Sequence, residues 1–359
     1  MDVNKLFSRC VLEKPETKRE SRTASTVDLT KLVHMGWNEN PYGMSPKALA
    51  AYKKAAEKSH YYQDFWNRDL IAAIAEHYGV DTSNLVVGAG SSPLIEIVGQ
   101  AFLNPGDEVI MCPTFAAFID MTEIRLGKVV EVPLCEDKKY NLDGILEAIT
   151  DKTKMIVICN PNNPTGGYVG YNELAEFTKK VPDDIVILYD EAYIEFATAP
   201  DCKSMYPLVT EMPQKPILVM RTFSKYYGMA GARCGYIITS PELAEGISKI
   251  PGSSIPSAAQ AAAVAAIKDT AYYEETKKKI IDGIEYLSDG LKKLGCTVYP
   301  TQTNFIMFDP HCMPEEVRNY MIDHGLLIST PMMCRVSVGT QSENDMFLKF
   351  MKDVLAKAA

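Results

Sequence analysis

Between residues 84 and 239, short apolar, β-branched runs alternate with segments of helical period. That alternation constrains the fold of this chain more than any other feature. The runs 84–87, 108–111, 128–132, 155–159, 185–189, 217–220 and 235–239 read as buried strands. Segments 94–103, 115–126, 142–149 and 171–180 carry helical patterns between several of them. Strands and helices in turn predict an α/β domain with a mostly parallel sheet and helices on both faces. Its ligand site should lie outside the carboxyl ends of the strands.

The pattern changes at Ile250-Pro251-Gly252-Ser253. Beyond it, 257–266 and 272–294 read as long helices, 297–299, 304–308 and 335–338 as strands, and 314–324 and 344–357 as helices. This predicts a smaller α+β domain at the C-terminal end. Residues 1–30 are polar and lack periodicity, and read as a mobile or partner-clasping arm. The expected organisation is an arm over 1–36, a large domain over 37–250 and a small domain over 251–359.

Composition narrows the partners. A formal net charge of -9 on 359 residues disfavours nucleic acid and anionic membrane. No apolar run approaches the roughly 20 residues of a membrane span. Residues 1–22 do not read as a secretory signal. The nine cysteines are scattered, with no Cys-x-x-Cys pair and no histidine cluster beside them. That reads as reduced, buried thiols in a cytoplasmic protein, with no metal site.

Motifs at the strand ends carry the chemistry. Lys225 lies in Arg221-Thr222-Phe223-Ser224-Lys225, after the run 217–220. A nucleophilic lysine needs a lowered pKa, from burial or a neighbouring cation, and Arg221 and Arg233 flank this one. Thr222 and Ser224 offer hydroxyls, and Arg233 a bidentate clamp, for a phosphate. Asp190 ends a buried run and needs a cation, such as a protonated ring nitrogen. Tyr193 follows three residues on. Asn163, in Asn160-Pro161-Asn162-Asn163-Pro164-Thr165-Gly166, sits on a turn where its side chain can donate to a phenolic oxygen. Gly88-Ala89-Gly90-Ser91-Ser92 precedes a helix expected to begin near Pro93, and its amides suit a dianion. Phe115 can stack on a ring or pack in the core. Tyr62 can reach a phosphate from a neighbouring subunit or be an ordinary half-buried tyrosine. Arg335, opening an apolar strand, needs an anion: a substrate carboxylate or a structural partner. In order, these pieces match what pyridoxal 5′-phosphate requires: a partner for its phenolic oxygen, a carboxylate for its ring nitrogen and an amine for its aldehyde.

From Trp37-Asn38-Glu39-Asn40-Pro41-Tyr42-Gly43 through Arg335-Val336-Ser337-Val338-Gly339-Thr340, the chain resembles a fold-type-I, class I/II pyridoxal-phosphate aminotransferase. The resemblance is closest to the histidinol-phosphate aminotransferase branch. It implies the aspartate aminotransferase-like fold and a homodimer with shared active sites. By its motifs, Lys225 carries the cofactor and shuttles the substrate α-proton, Asp190 pairs the ring nitrogen, and Asn163 and Tyr193 hold the phenolic oxygen. Gly90, Ser91, Ser92, Thr222, Ser224, Arg233 and Tyr62 of a second copy fall at the phosphate, and Phe115 on the ring. Arg335 holds the substrate carboxylate, with Asn40 and Tyr42 on the substrate side.

The branch grips a substrate phosphate with a second arginine shortly before the strand arginine. Here Gly325-Leu326-Leu327-Ile328-Ser329-Thr330-Pro331 contains none. Each absent charge-assisted bond costs roughly 1.5–3 kcal/mol. The expectation is therefore ping-pong transfer between an ordinary L-amino acid and a 2-oxo acid, with histidinol phosphate as the alternative donor. Decarboxylation, elimination or oxidation on the same cofactor is a further alternative. A DNA-binding regulator is disfavoured, because residues 1–36 are too short for a helix-turn-helix module and the charge is acidic.

Overall fold

The structure, a computed structural model, describes residues 6–14, 27–252 and 254–358. Of the expected arm, 1–5 and 15–26 lie outside the described residues. Its described parts touch the rest of the chain at the following points. Lys14 pairs with Asp120 at 2.8 Å and Glu123 at 3.0 Å in the same chain. Strand β1 (Val33–His34) runs parallel to Leu326–Leu327 near the other end of the sequence.

Seven strands form the central sheet: β2 (Leu85–Gly88), β3 (Glu108–Met111), β4 (Lys128–Glu131), β5 (Thr153–Cys159), β6 (Val186–Asp190), β7 (Ile217–Thr222) and β8 (Gly235–Ile238). Their spatial order is β2-β8-β7-β6-β5-β3-β4. Strand β8 is antiparallel to both neighbours, and the other pairings are parallel. Reversal of β8 brings its beginning to the edge where β2, β5, β6 and β7 end.

The inner strands are largely apolar because both faces are covered. Strand β4, Lys-Val-Val-Glu at the sheet edge, is exposed or half-buried throughout, which corrects the expectation of a buried strand over 128–132: an edge strand lacks a neighbour on one side. In β5, Met155 and Val157 enter one core with Leu94, Val98 and Phe118, while Ile156 and Ile158 enter the core on the opposite face. Burying two faces with alternate residues of one strand fixes its register, since a one-residue slip would exchange the two sets.

The C-terminal part contains β9 (Thr297–Val298), β10 (Phe305–Asp309), β11 (Leu326–Leu327) and β12 (Cys334–Ser337). Strands β9, β10 and β12 form an antiparallel sheet. Helices Thr270–Lys293 and Gln341–Ala358 pack on one another beside it. The alanine-rich helix Ser257–Ile267 instead packs on Pro46–Ala56 and Arg68–Tyr78, two helices from the front of the chain that are not among the expected elements. Alanines on that contact allow close approach of the helices.

The buried-thiol expectation holds for six cysteines. Cys135 is exposed, Cys10 and Cys312 are half-buried, and no two are bonded. Among the described residues, no helix is long and apolar enough to cross a membrane.

Candidate active site

A cavity of about 380 Å³ opens at the carboxyl edge of the central sheet. Register brings its polar groups together. Asp190, the last residue of β6, lies beside Cys159 of β5 and Met220 of β7, and Thr222, the last residue of β7, lies opposite Gly235 of β8. Asn163 lines the cavity from the turn after β5, and Arg335 reaches it from β12. Elements far apart in sequence thus contribute to one wall.

Lys225 is half-buried, and its ammonium donates to the Trp37 carbonyl at 2.8 Å. Burial brings its pKa down to about 8, with Arg335 and Arg233 lowering it further and Glu39 and Asp190 acting the other way. Arg221 is not one of these neighbours. It turns away, and its guanidinium donates to Glu191 at 2.9 Å and Glu195 at 2.8 Å in a buried cluster. The expectation that Arg221 flanks the lysine amine is therefore corrected: on a strand, residue 221 and residue 222 point to opposite faces.

Asp190 is 4% exposed, accepts the Ala192 amide at 3.2 Å, and has no ion-pair partner among the described residues. Burial pushes its pKa up to about 7. Tyr193 lines the cavity, its ring edge-on to Phe305, and its hydroxyl accepts from Asn38 Nδ2 at 2.9 Å. Burial pushes the phenol pKa well up, which keeps it protonated. The Oδ1 of Asn163 accepts from Arg335 Nη1, so its amide nitrogen remains a donor. Arg335 also donates from Nη2 to the Gly36 carbonyl at 2.8 Å, and its buried Nε has no partner among the described residues.

At the opposite end, Gly90 has φ +98°, a conformation reserved for glycine. The helix after it runs Ser91–Phe102 and so begins at Ser91, two residues before the expected start. Pro93 is accommodated because amides of a first helical turn have no intrahelical acceptor. A Cβ on Gly90 would collide with the Arg233 guanidinium, and one on Gly235 would meet the Gly90–Ser91 backbone at 2.9 Å. Arg233 itself is left-handed, with φ +62°, and donates to the Ala230 carbonyl at 2.8 Å. Ser91, Ser92, Thr222 and Ser224 line the same end. Bare backbone amides, hydroxyls and a guanidinium there form a receptacle for a dianion.

Phe115 lines the cavity and is 37% exposed, so it is not a core residue. Tyr62 is 88% exposed and outside the cavity of its own chain. Asn40 and Tyr42 are likewise absent from the cavity wall. Asn40 donates to the Tyr226 carbonyl and accepts the Tyr42 amide, which makes it a support for the turn. In their place the segment contributes Trp37, Asn38 and Glu39. No motif in the sequence points to these three. The only local signal was the turn-forming Asn-Glu-Asn-Pro string.

These residues fit pyridoxal 5′-phosphate on the structure's own terms. A buried carboxylate without a cation matches a protonated ring nitrogen, an amine of lowered pKa matches an aldehyde, and the glycine cradle with Arg233 matches a phosphate.

The family model for aminotransferase class I and II matches residues 30–351. A histidinol-phosphate aminotransferase of Halalkalibacterium halodurans is 35% identical over 337 residues, covering 92% of this chain and 90% of the relative. One from a Geobacillus species is 35% identical over 351 residues, covering 95% and 93%. The histidinol-phosphate aminotransferase of Sinorhizobium meliloti, solved in complex with pyridoxal-5′-phosphate, superposes with a TM-score of 0.86 at 28% identity, covering 92% of each chain. Thermus thermophilus aspartate aminotransferase with maleate shares the fold, with a TM-score of 0.80 at 22% identity over 90% of this chain and 92% of that one.

Proposed function

This chain belongs to the class I and II aminotransferases and uses pyridoxal 5′-phosphate, and from that premise we propose that it moves the amino group of histidinol phosphate to a 2-oxo acid by a ping-pong mechanism. The observation that carries the choice of donor is the run of relatives at about one-third identity over nine-tenths of the chain, all bearing that activity in their names. It reverses the preference for an ordinary amino acid drawn from the missing second arginine.

When bound, the cofactor supplies a cationic ring that withdraws electrons from the substrate α-carbon. Asp190 would hold the ring nitrogen, Asn163 and Tyr193 the phenolic oxygen, and Phe115 one ring face. The amides of Gly90–Ser92, the Thr222 and Ser224 hydroxyls and Arg233 would hold the phosphate. Lys225 Nζ would be the site of attachment.

With the cofactor and donor bound, Lys225 Nζ would take the α-proton of the donor. A pKa near 8 leaves it partly neutral at physiological pH, as a general base requires. The Trp37 carbonyl fixes Nζ on the cavity wall. Arg335 binds the anionic end of each substrate: the phosphate of the donor, then the carboxylate of the 2-oxo acid. Its unpartnered Nε supports this role. A homodimer completes the site, with exposed Tyr62 reaching the phosphate of a second copy. The unbonded cysteines support a reducing, cytoplasmic setting.

A second reading, an ordinary L-amino acid donor, is favoured by one observation: among the described residues, Arg335 is the only cation lining the cavity besides Lys225 and Arg233. An assay of histidinol phosphate against the common L-amino acids, each with 2-oxoglutarate, separates the two. The proposal expects kcat/KM for histidinol phosphate to exceed the others by at least about tenfold. A common amino acid that matches it would install the second reading. Release of CO2, or elimination without use of the acceptor, would remove both.

A further inference from the structure

Asn38 joins three parts of the molecule. Its Nδ2 donates to the Tyr193 hydroxyl at 2.9 Å, and its backbone amide donates to Ser337 Oγ at 2.9 Å. Ser337 Oγ donates in turn to Asn38 Oδ1 at 3.2 Å, and Asn304 Nδ2 donates to the Asn38 carbonyl at 3.1 Å. The residue is 2% exposed and left-handed, with φ +57°, a conformation asparagine adopts more readily than other side-chain-bearing residues.

Directionality follows from the donor inventory. The Ser337 hydroxyl has one proton, and Asn38 Oδ1 accepts it, which leaves Nδ2 to face Tyr193. With that bond occupying an acceptor position on the tyrosine oxygen, the phenol's own proton is free to point into the cavity. Ser337 and Arg335 lie two residues apart on β12 and so share a face. From that face Arg335 orients Asn163, and Ser337 orients Asn38.

The geometry points to Asn38 as a positioning residue that, held by Ser337, keeps Tyr193 a proton donor to the cofactor's phenolic oxygen. This rests on the role proposed above for Tyr193. The titratable groups facing the phenol are Arg335, Cys159 and Asp190, with Lys225 Nζ 6.0 Å from the ring centre. None of them accepts the phenol's proton in a hydrogen bond among the described residues.

A donor at the phenolic oxygen stabilises it as an anion without help from the proton on the adjacent lysine nitrogen. Loss of the donor makes that proton harder to remove. The readout is the pH midpoint between the two absorbance bands of the lysine-bound cofactor in the holoenzyme. Tyr193→Phe sets the full effect, a rise of about one pH unit or more, since one unit corresponds to about 1.4 kcal/mol, the scale of one hydrogen bond. Asn38→Asp replaces the donor with an acceptor that draws the phenol's proton away, and should raise the midpoint nearly as far. Asn38→Gly keeps the left-handed backbone, removes only the amide and should raise it by less, so it carries the test if the Asp variant does not fold. In the Tyr193→Phe background, Asn38→Gly, which brings no charge, should add nothing, which a merely structural role would not predict. Unmoved midpoints in both Asn38 variants beside a moved Tyr193→Phe would overturn the inference and leave the role of Tyr193 standing. An unmoved Tyr193→Phe would overturn both.

Discussion

Arg335 donates from Nη1 to the side-chain oxygen of Asn163, 172 residues earlier in the chain. One guanidinium thus serves the substrate end of the cavity and orients a side chain assigned to the cofactor. Arg335→Lys keeps the charge but loses the planar fork, and with it one or two charge-assisted bonds of about 1.5–3 kcal/mol each. Steady-state kinetics should show kcat/KM down by roughly 10–100-fold or more for the donor and the 2-oxo acid alike. A fall for only one substrate would place the other's anion elsewhere.

Lys225 should set the rate at which the cofactor-free protein captures the vitamer. Its folded pKa of about 8 lies below the ordinary 10.5, so the neutral amine grows in as pH rises through 8. The capture rate, followed by absorbance, should climb between about pH 7 and 9 and then level off. Lys225→Arg should yield no adduct after borohydride. An adduct on another lysine would displace the assignment.

Asp190 predicts a pH-dependent stability of the opposite kind. Its folded pKa of about 7 lies above the ordinary 3.8, so the folded cofactor-free protein holds this proton more tightly than the unfolded chain. The resulting contribution to stability is full below pH 3.8 and is lost as pH rises through 7. Asp190→Asn cannot ionise and escapes that loss. Melting temperatures of the two cofactor-free proteins should diverge in favour of the variant from pH 5 to pH 8, then run parallel. Saturating cofactor should reverse the order at pH 8, because only the carboxylate pairs with a ring cation.

Gly90→Ala tests the dianion cradle. Its Cβ would strike the Arg233 guanidinium at a φ of +98° that alanine avoids. Cofactor affinity should drop by at least about tenfold, the worth of one charge-assisted bond. Titration of the apo-protein checks it. Unchanged affinity would mean that Arg233 does not hold the phosphate.

Arg221→Ala should behave as a structural lesion. It strands the buried carboxylate of Glu191 and the partly buried one of Glu195, at a cost of about 3–5 kcal/mol in denaturant unfolding. The pH midpoint of vitamer capture by Lys225 should stay in place. A shifted midpoint would return Arg221 to the lysine's electrostatic surroundings.

Local sequence determined the strands of the central sheet and the residues at their ends. Apolar β-branched runs mark strands, although burial depends on neighbours, as exposed edge strand β4 shows, and a charged or glycine-rich turn at a strand's end is visible without a partner. Asp190, Lys225, Asn163, Gly90 and Arg233 were legible for that reason, and each lies at the edge where it was expected. Tertiary structure decided what those residues face. Whether Arg221 points at Lys225 or at Glu191 depends on the strand's facing, and whether Asn40 or Asn38 enters the cavity depends on how one turn is wedged between β12 and Tyr193. The docking of residues 33–38 against 326–337 is a contact across almost the whole chain. No periodicity of a two-residue strand encodes such a contact, because its energy resides in the partner.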